Sequence, residues 1–242
     1  MSTKKIIIGV IVIVVLVIIG YLVFSGKTVK LSIVDKANNK TSVTADKPSD
    51  IAIKINDTVI LKTVYDAQLA SAIDSLKAQK VDVTNADILS KVKTQVVNDI
   101  ISNELVAAGI ISSGVKPTVE EIETQFQAIV KQAGGEEKFK EELVKSNLAE
   151  TQLRDNISKQ LAVQKYLLQN IDVKSITIND AEISQFYADY SKAQKDAGQK
   201  TVPVLKELSA QIKQQITANK QQVLINNFIA SLREKAKIEI SI

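Results

Sequence analysis

The hydrophobic and polar positions of this chain fall into three patterns. Residues 6–24, IIIGVIVIVVLVIIGYLVF, run apolar without a charge. Two short segments alternate with a period of two, as a strand with one buried face does. One holds Ile51, Ile53 and Ile55; the other sets Ile238, Ile240 and Ile242 between Lys237, Glu239 and Ser241. After the first, Asn56-Asp57 tolerate the left-handed backbone of a tight turn, so Val59 to Leu61 are expected to return as the second arm of a hairpin. A strand near residue 240 needs a partner, and the best match is 51–55. Both ends of this region are therefore expected to meet in one small antiparallel sheet.

Between these ends apolar residues return every three or four positions, the spacing of amphipathic helices. Thr63 with Asp66 predicts a helix start, followed by Tyr65, Leu69, Ile73 and Leu76 on one face. Thr84 with Asp87 predicts another, carrying Ile88, Val92, Val96 and Ile100 beside Val97, Ile101 and Leu105. Gly109 is expected to end it in the C′ position, with Ile110 touching Leu105. Thr118 and Glu121 form a capping box before Val119, Ile122, Phe126 and Ile129. Gly134-Gly135 break the chain ahead of a short helix with Phe139 and Leu143 and a longer one with Leu153, Ile157, Leu161 and Leu168. Asn179 and Glu182 open the next, stapled by Ile178 and Ile183 and carrying Phe186, Tyr187 and Tyr190. A polar run, 191–203, leads to a last helix free of Gly and Pro from Val204 to Lys235. It would run roughly 45–50 Å, with Leu205, Leu208, Ile212, Ile216, Val223, Leu224, Phe228 and Leu232 at helical spacing.

Residues 6–24 as a helix would span about 28 Å, close to a hydrocarbon core of roughly 30 Å. Lys4 and Lys5 precede the run, which favours a cytoplasmic N-terminus (residues 1–5) and an extracytoplasmic remainder. A cleaved signal peptide is the rival, but an apolar core of this length exceeds what such peptides use. The expected localisation is a single-pass membrane protein, with a polar spacer over 25–50 and one domain over 51–242. Within the spacer VKLSIV (29–34) suits a lone strand. Asn39 and Asn56 each begin an Asn-X-Thr triplet, a pattern too short to argue for glycosylation.

Composition excludes more than it assigns. With neither His nor Cys, triads built on them and thiolate or imidazole metal sites are out of reach. The Gly residues form no phosphate-binding loop. Net charge is only +4 and Lys is dispersed, which argues against nucleic acid as a partner. Glu120, Glu121 and Glu123, and Glu136, Glu137, Glu141 and Glu142, sit in first turns or alternate with Lys, where helix dipoles and solvent account for them. No catalytic residue, metal ligand or cofactor is expected.

The order of these elements resembles the N-terminal chaperone domain of the SurA, PpiD and PrsA group of extracytoplasmic foldases. The matching stretches are IAIKINDTVILKTVYDAQL (51–69), VVNDIISNELVAAGI (96–110), VKPTVEEIETQF (115–126), KFKEELVKSNLAETQLRDNISKQL (138–161), ITINDAEISQFY (176–187) and FIASLREKAKIEI (228–240). The resemblance implies a mainly α fold, helical and closed by a small sheet from the hairpin and the C-terminal strand. It also implies a holdase for unfolded or nascent exported polypeptides, needing no ATP. Such foldases usually carry a parvulin-type prolyl isomerase domain before the last helix; here about a dozen residues separate the flanking helices, too few for a domain. An isomerase is therefore disfavoured and stands as the second alternative; the first is a membrane-anchored helical adaptor or scaffold. For a holdase, Phe126, Ile129, Phe139, Leu143, Phe186, Tyr187 and Tyr190 are the candidate client contacts, being the apolar residues in the middle of the helical insertion. Ordinary core packing is the competing role for each.

Overall fold

In the computed structural model, which describes residues 50–199 and 201–242, the two alternating segments meet. β1 (Ile51–Ile55) is the central strand of an antiparallel sheet, flanked by β2 (Thr58–Leu61) and β3 (Ile238–Ile240). Ile53, Lys54 and Ile55 pair with Ile240, Glu239 and Ile238. Asn56 makes the hairpin turn with a left-handed φ of 51°. The same residue clasps β3: its N–H donates to Lys237 O at 2.8 Å, and its side-chain oxygen accepts the Lys237 N–H at 2.9 Å.

Among the described residues seven α-helices lie between β2 and β3, one for each helix named from the sequence. They are α1 (Lys62–Ala78), α2 (Ala86–Ser113), α3 (Val119–Gln132), α4 (Glu136–Lys145), α5 (Glu150–Asn170), α6 (Asp180–Asp196) and α7 (Leu205–Glu234). Both capping boxes form, Thr118 with Glu121 and Asn179 with Glu182, and Gly134 and Gly135 take positive φ at the break between α3 and α4. Residues 6–24 and 29–34, where an anchor and a lone strand were expected, lie outside the described residues. Among the described ones no helix is long and apolar enough to cross a membrane.

Four boundary expectations are corrected. α1 starts at Lys62 directly from β2, so Thr63 lies inside the helix and Leu61 occupies the cap position without a side-chain bond. α2 is capped by Asn85, whose side chain accepts from the N–H groups of Asp87 and Ile88; the Thr84 hydroxyl bonds Asp82. Gly109 does not end α2. The helix continues to Ser113 and stops at Gly114, with φ 68°. Gly109 is needed for another reason: a Cβ there would lie 2.0 Å from the Tyr166 hydroxyl. Finally, the isoleucines of the strands are not equally buried. A bulge at Ala52 on the β2 side turns both Ala52 and Ile53 inward at 0% exposure and leaves Ile51 half-buried. Of the C-terminal three only Ile238 packs on the core, while Ile240 and Ile242 are exposed.

The described chain divides into two units, whose boundaries fall inside α5 and α7. The unit of 50–166 and 229–242 holds two cores. One joins Ala52, Ile53 and Ile55 to Tyr65 and to Val96, Val97, Ile100, Ile101 and Leu105, with Leu232, Ala236 and Ile238 against them. Arg233 secures the end of α7 here, donating to the Asn98 side chain at 2.8 Å. The other core lies among α3, α4 and α5. The second unit, within 167–228, is built on Ile183, Ile212 and Ile216.

Candidate functional site

The candidate client contacts fall into two groups, one in each unit. Phe126, Ile129, Phe139 and Leu143 come together in the core of α3, α4 and α5. The glycine break folds α4 back on α3, which sets the Phe126 and Phe139 rings edge to face with centroids 5.3 Å apart, a favoured aromatic geometry. Both rings are 4% exposed, around Val130, Leu153 and Ile157. Ile129 and Leu143 sit half-buried at the margin of the same cluster.

Sequence reasoning missed the polar lid of this cluster. Arg154 of α5 lies over the Phe126 ring, 3.7 Å from its centroid, and pairs with Glu123 and Glu150. A planar guanidinium can stack on a ring and fork to carboxylates at once, which an ammonium cannot. Two residues nearer the α3 N-terminus, Glu121 takes Lys165 of α5 at 2.7 Å and also closes the capping box on Thr118. Glu121 and Glu123 are therefore more than first-turn charges facing solvent; both tie α3 to α5. Lys165 beside it, then the Thr118 N–H, hold the Glu121 carboxyl below its ordinary value. For Glu123 the Gln127 amide acts first and Arg154 second. No local spacing signals these pairs, since their members are 31 and 44 residues apart.

Phe186 and Tyr187 pack half-buried against Ile183, Ile212 and Ile216. Tyr187 donates its hydroxyl to Pro203 O at 3.1 Å, so the run before α7 is held against α6. Tyr190, one turn further, is half-buried. Lys220 clamps the start of α6, bonding Glu182 at 2.5 Å and Thr177 O at 2.7 Å. Lys220 and the Asn179 N–H together hold the Glu182 carboxyl below its usual range.

This geometry is apolar surface framed by ion pairs. Among the described residues no group of three or more acidic side chains could hold a metal ion. A helical insertion whose two ends close in one small antiparallel sheet is the architecture that the family resemblance implies. Residues 1–167 match the family described as SurA-like N-terminal domain, and the chain belongs to that family. Over 146 residues it is 30% identical to the chaperone SurA of Hydrogenovibrio crunogenus (strain DSM 25203 / XCL-2), a match covering 59% of this chain. The chain spans 31% of that relative's length.

Proposed function

We propose that this protein is a membrane-anchored, extracytoplasmic holdase that shields unfolded or nascent exported polypeptides without ATP. The family match over 1–167 carries this reading. The anchor is the uncharged run 6–24, oriented by Lys4 and Lys5. Clients are held on the margins of the two clusters, by Ile129, Leu143, Phe186, Tyr187 and Tyr190. Phe126 and Phe139, with 4% exposure each, shape the first margin from beneath. Covering ~500 Å² of apolar surface yields roughly 12 kcal/mol at ~25 cal/mol/Å². Lost free motion takes back at least ~4 kcal/mol, which leaves affinity near micromolar and allows release without nucleotide. No catalytic step is assigned, prolyl isomerisation included.

The test is aggregation of an unfolded protein in the presence of the full chain in lipid nanodiscs, without nucleotide and against empty nanodiscs. Slowed aggregation by near-equimolar chain is expected. No protection at tenfold molar excess, or crosslinking to one saturable folded partner in place of many unfolded ones, would reject the holdase in favour of an adaptor.

A further inference from the structure

We propose that the outer edge of β3 is a second binding site, which takes an extended polypeptide as an added strand. The pairing with β1 decides where the backbone groups of β3 point. Lys237 O accepts from Asn56 N–H, and Ser241 N–H donates to Ala52 O, each at 2.8 Å. With Lys54 opposite Glu239 between them, residues 237, 239 and 241 turn their N–H and C=O groups towards β1. Antiparallel pairing alternates, so the N–H and C=O of Ile238 and Ile240 point away from the sheet. β3 is the last strand in the order β2-β1-β3, and no other strand among the described residues takes up these groups.

Natural edges are blunted by short length, surface charge, proline, a bulge or an inward charge. β3 is short, at three residues, but has no proline, no bulge and no inward charge. The sheet's bulge lies on the β2 side of β1, and the neighbouring charges, Lys237 and Glu239, are paired with each other at 3.0 Å. The side chains that would flank an added strand are apolar and open, with Ile240 49% and Ile242 55% exposed. Size selects the occupant. Three strand residues offer an edge about 10 Å long, whereas stable association of two folded copies needs roughly 1,200 Å² or more. A flexible segment of about four to six residues can satisfy such an edge, its backbone matching the outward groups and its alternate side chains lying beside Ile240. The site shares no residue with the aromatic clusters. It rests on the holdase reading in taking unfolded chains as the natural occupant.

The probe is a fluorescent, unstructured peptide of about ten residues rich in Val and Thr, beside the same peptide N-methylated at successive residues, so that both of its edges are blocked. With the full chain in nanodiscs, the unmodified peptide is expected to bind and the methylated one to bind about tenfold more weakly. Amide exchange at Ile238 and Ile240 should be fast alone and about tenfold slower with peptide bound. Ile240→Pro, which removes one outward N–H and leaves the inner ladder whole, should weaken binding similarly, while Ile240→Ala retains most of it. Equal binding of the two peptides overturns the edge site, as does absence of binding. So does protection of both amides before peptide is added, which would mean that a second copy or the chain's own N-terminal part already sits there. Should Ile240→Pro unfold, the methylated peptide still decides on the unaltered chain. Edge binding without protection from aggregation would sink the holdase and spare the edge; protection with equal peptide binding would do the reverse.

Discussion

Single residues make the long connections of this fold, and two of them give sharp expectations. Asn56 serves the turn through its φ of 51° and the sheet through its side-chain bond to Lys237 N–H. Asn56→Gly keeps the first role and loses the second, so about 1 kcal/mol of stability should go. Asn56→Ala loses both and should cost about 1 kcal/mol more. Urea unfolding of the two variants separates the roles, and equal losses would contradict the division. Gly109 is the second case. Its substitution by Ala drives a Cβ against the buried Tyr166 ring and should destabilise by about 1–3 kcal/mol. Combined with Tyr166→Leu, the losses should be clearly less than additive, because the clash is already gone. Asn56 as a turn residue was legible in the sequence. Its hold on a strand 181 positions away, and the contact that requires Gly109, were not, since neither leaves a local pattern.

At the scale of elements, what could be read was whatever is encoded within one turn. The capping boxes of α3 and α6 and the glycine break repeat their signal within three or four residues, and the structure has them where expected. The start of α2 was misplaced by one residue because Thr84 and Asn85 both suit an N-cap, and Thr84 is already taken by Asp82. In α7, Ile212 and Ile216 are buried but Val223 is 56% exposed, as a helix of 30 residues turns its apolar stripe away from any one neighbour. Packing between elements adds a pH dependence. The carboxyls of Glu121 and Glu182 are held below the ordinary value of 4.5 first by Lys165 and Lys220 across the helices, and that of Glu123 first by Gln127 of its own helix and then by Arg154. Groups lowered on folding stabilise above their unfolded pKa, and that contribution is lost as pH falls through the folded value. Stability should therefore decline below about pH 4.5, modestly, since exposed pairs are weak. Urea midpoints across this range should fall less steeply in Lys165→Met than in the unaltered chain. An equal slope would show that the Lys165–Glu121 pair contributes nothing to the acid limb.

For the molecule as a whole, the consequence lies in the order of folding. β3 joins β1 across nearly the full described length, with Asn56 and Lys237 181 residues apart. Closing so long a flexible loop costs about 4–5 kcal/mol in its length-dependent part alone. Three strand residues and one clasp, at about 1 kcal/mol per hydrogen bond, do not meet that cost while the chain between is unfolded. Once the helices form, the loop shortens and Leu232, Ala236 and Ile238 can settle on the core of Tyr65 and α2. Docking of β3 should accordingly come late. Ile238→Ala is then expected to speed unfolding while leaving the main refolding rate nearly unchanged, and pulse-labelled exchange should protect Ile100 and Ile101 before Asn56 and Ser241, whose N–H groups bond across β1 and β3. If Ile238→Ala instead slows refolding in proportion to the stability it removes, the sheet is part of the nucleus and its closure precedes the helices it joins.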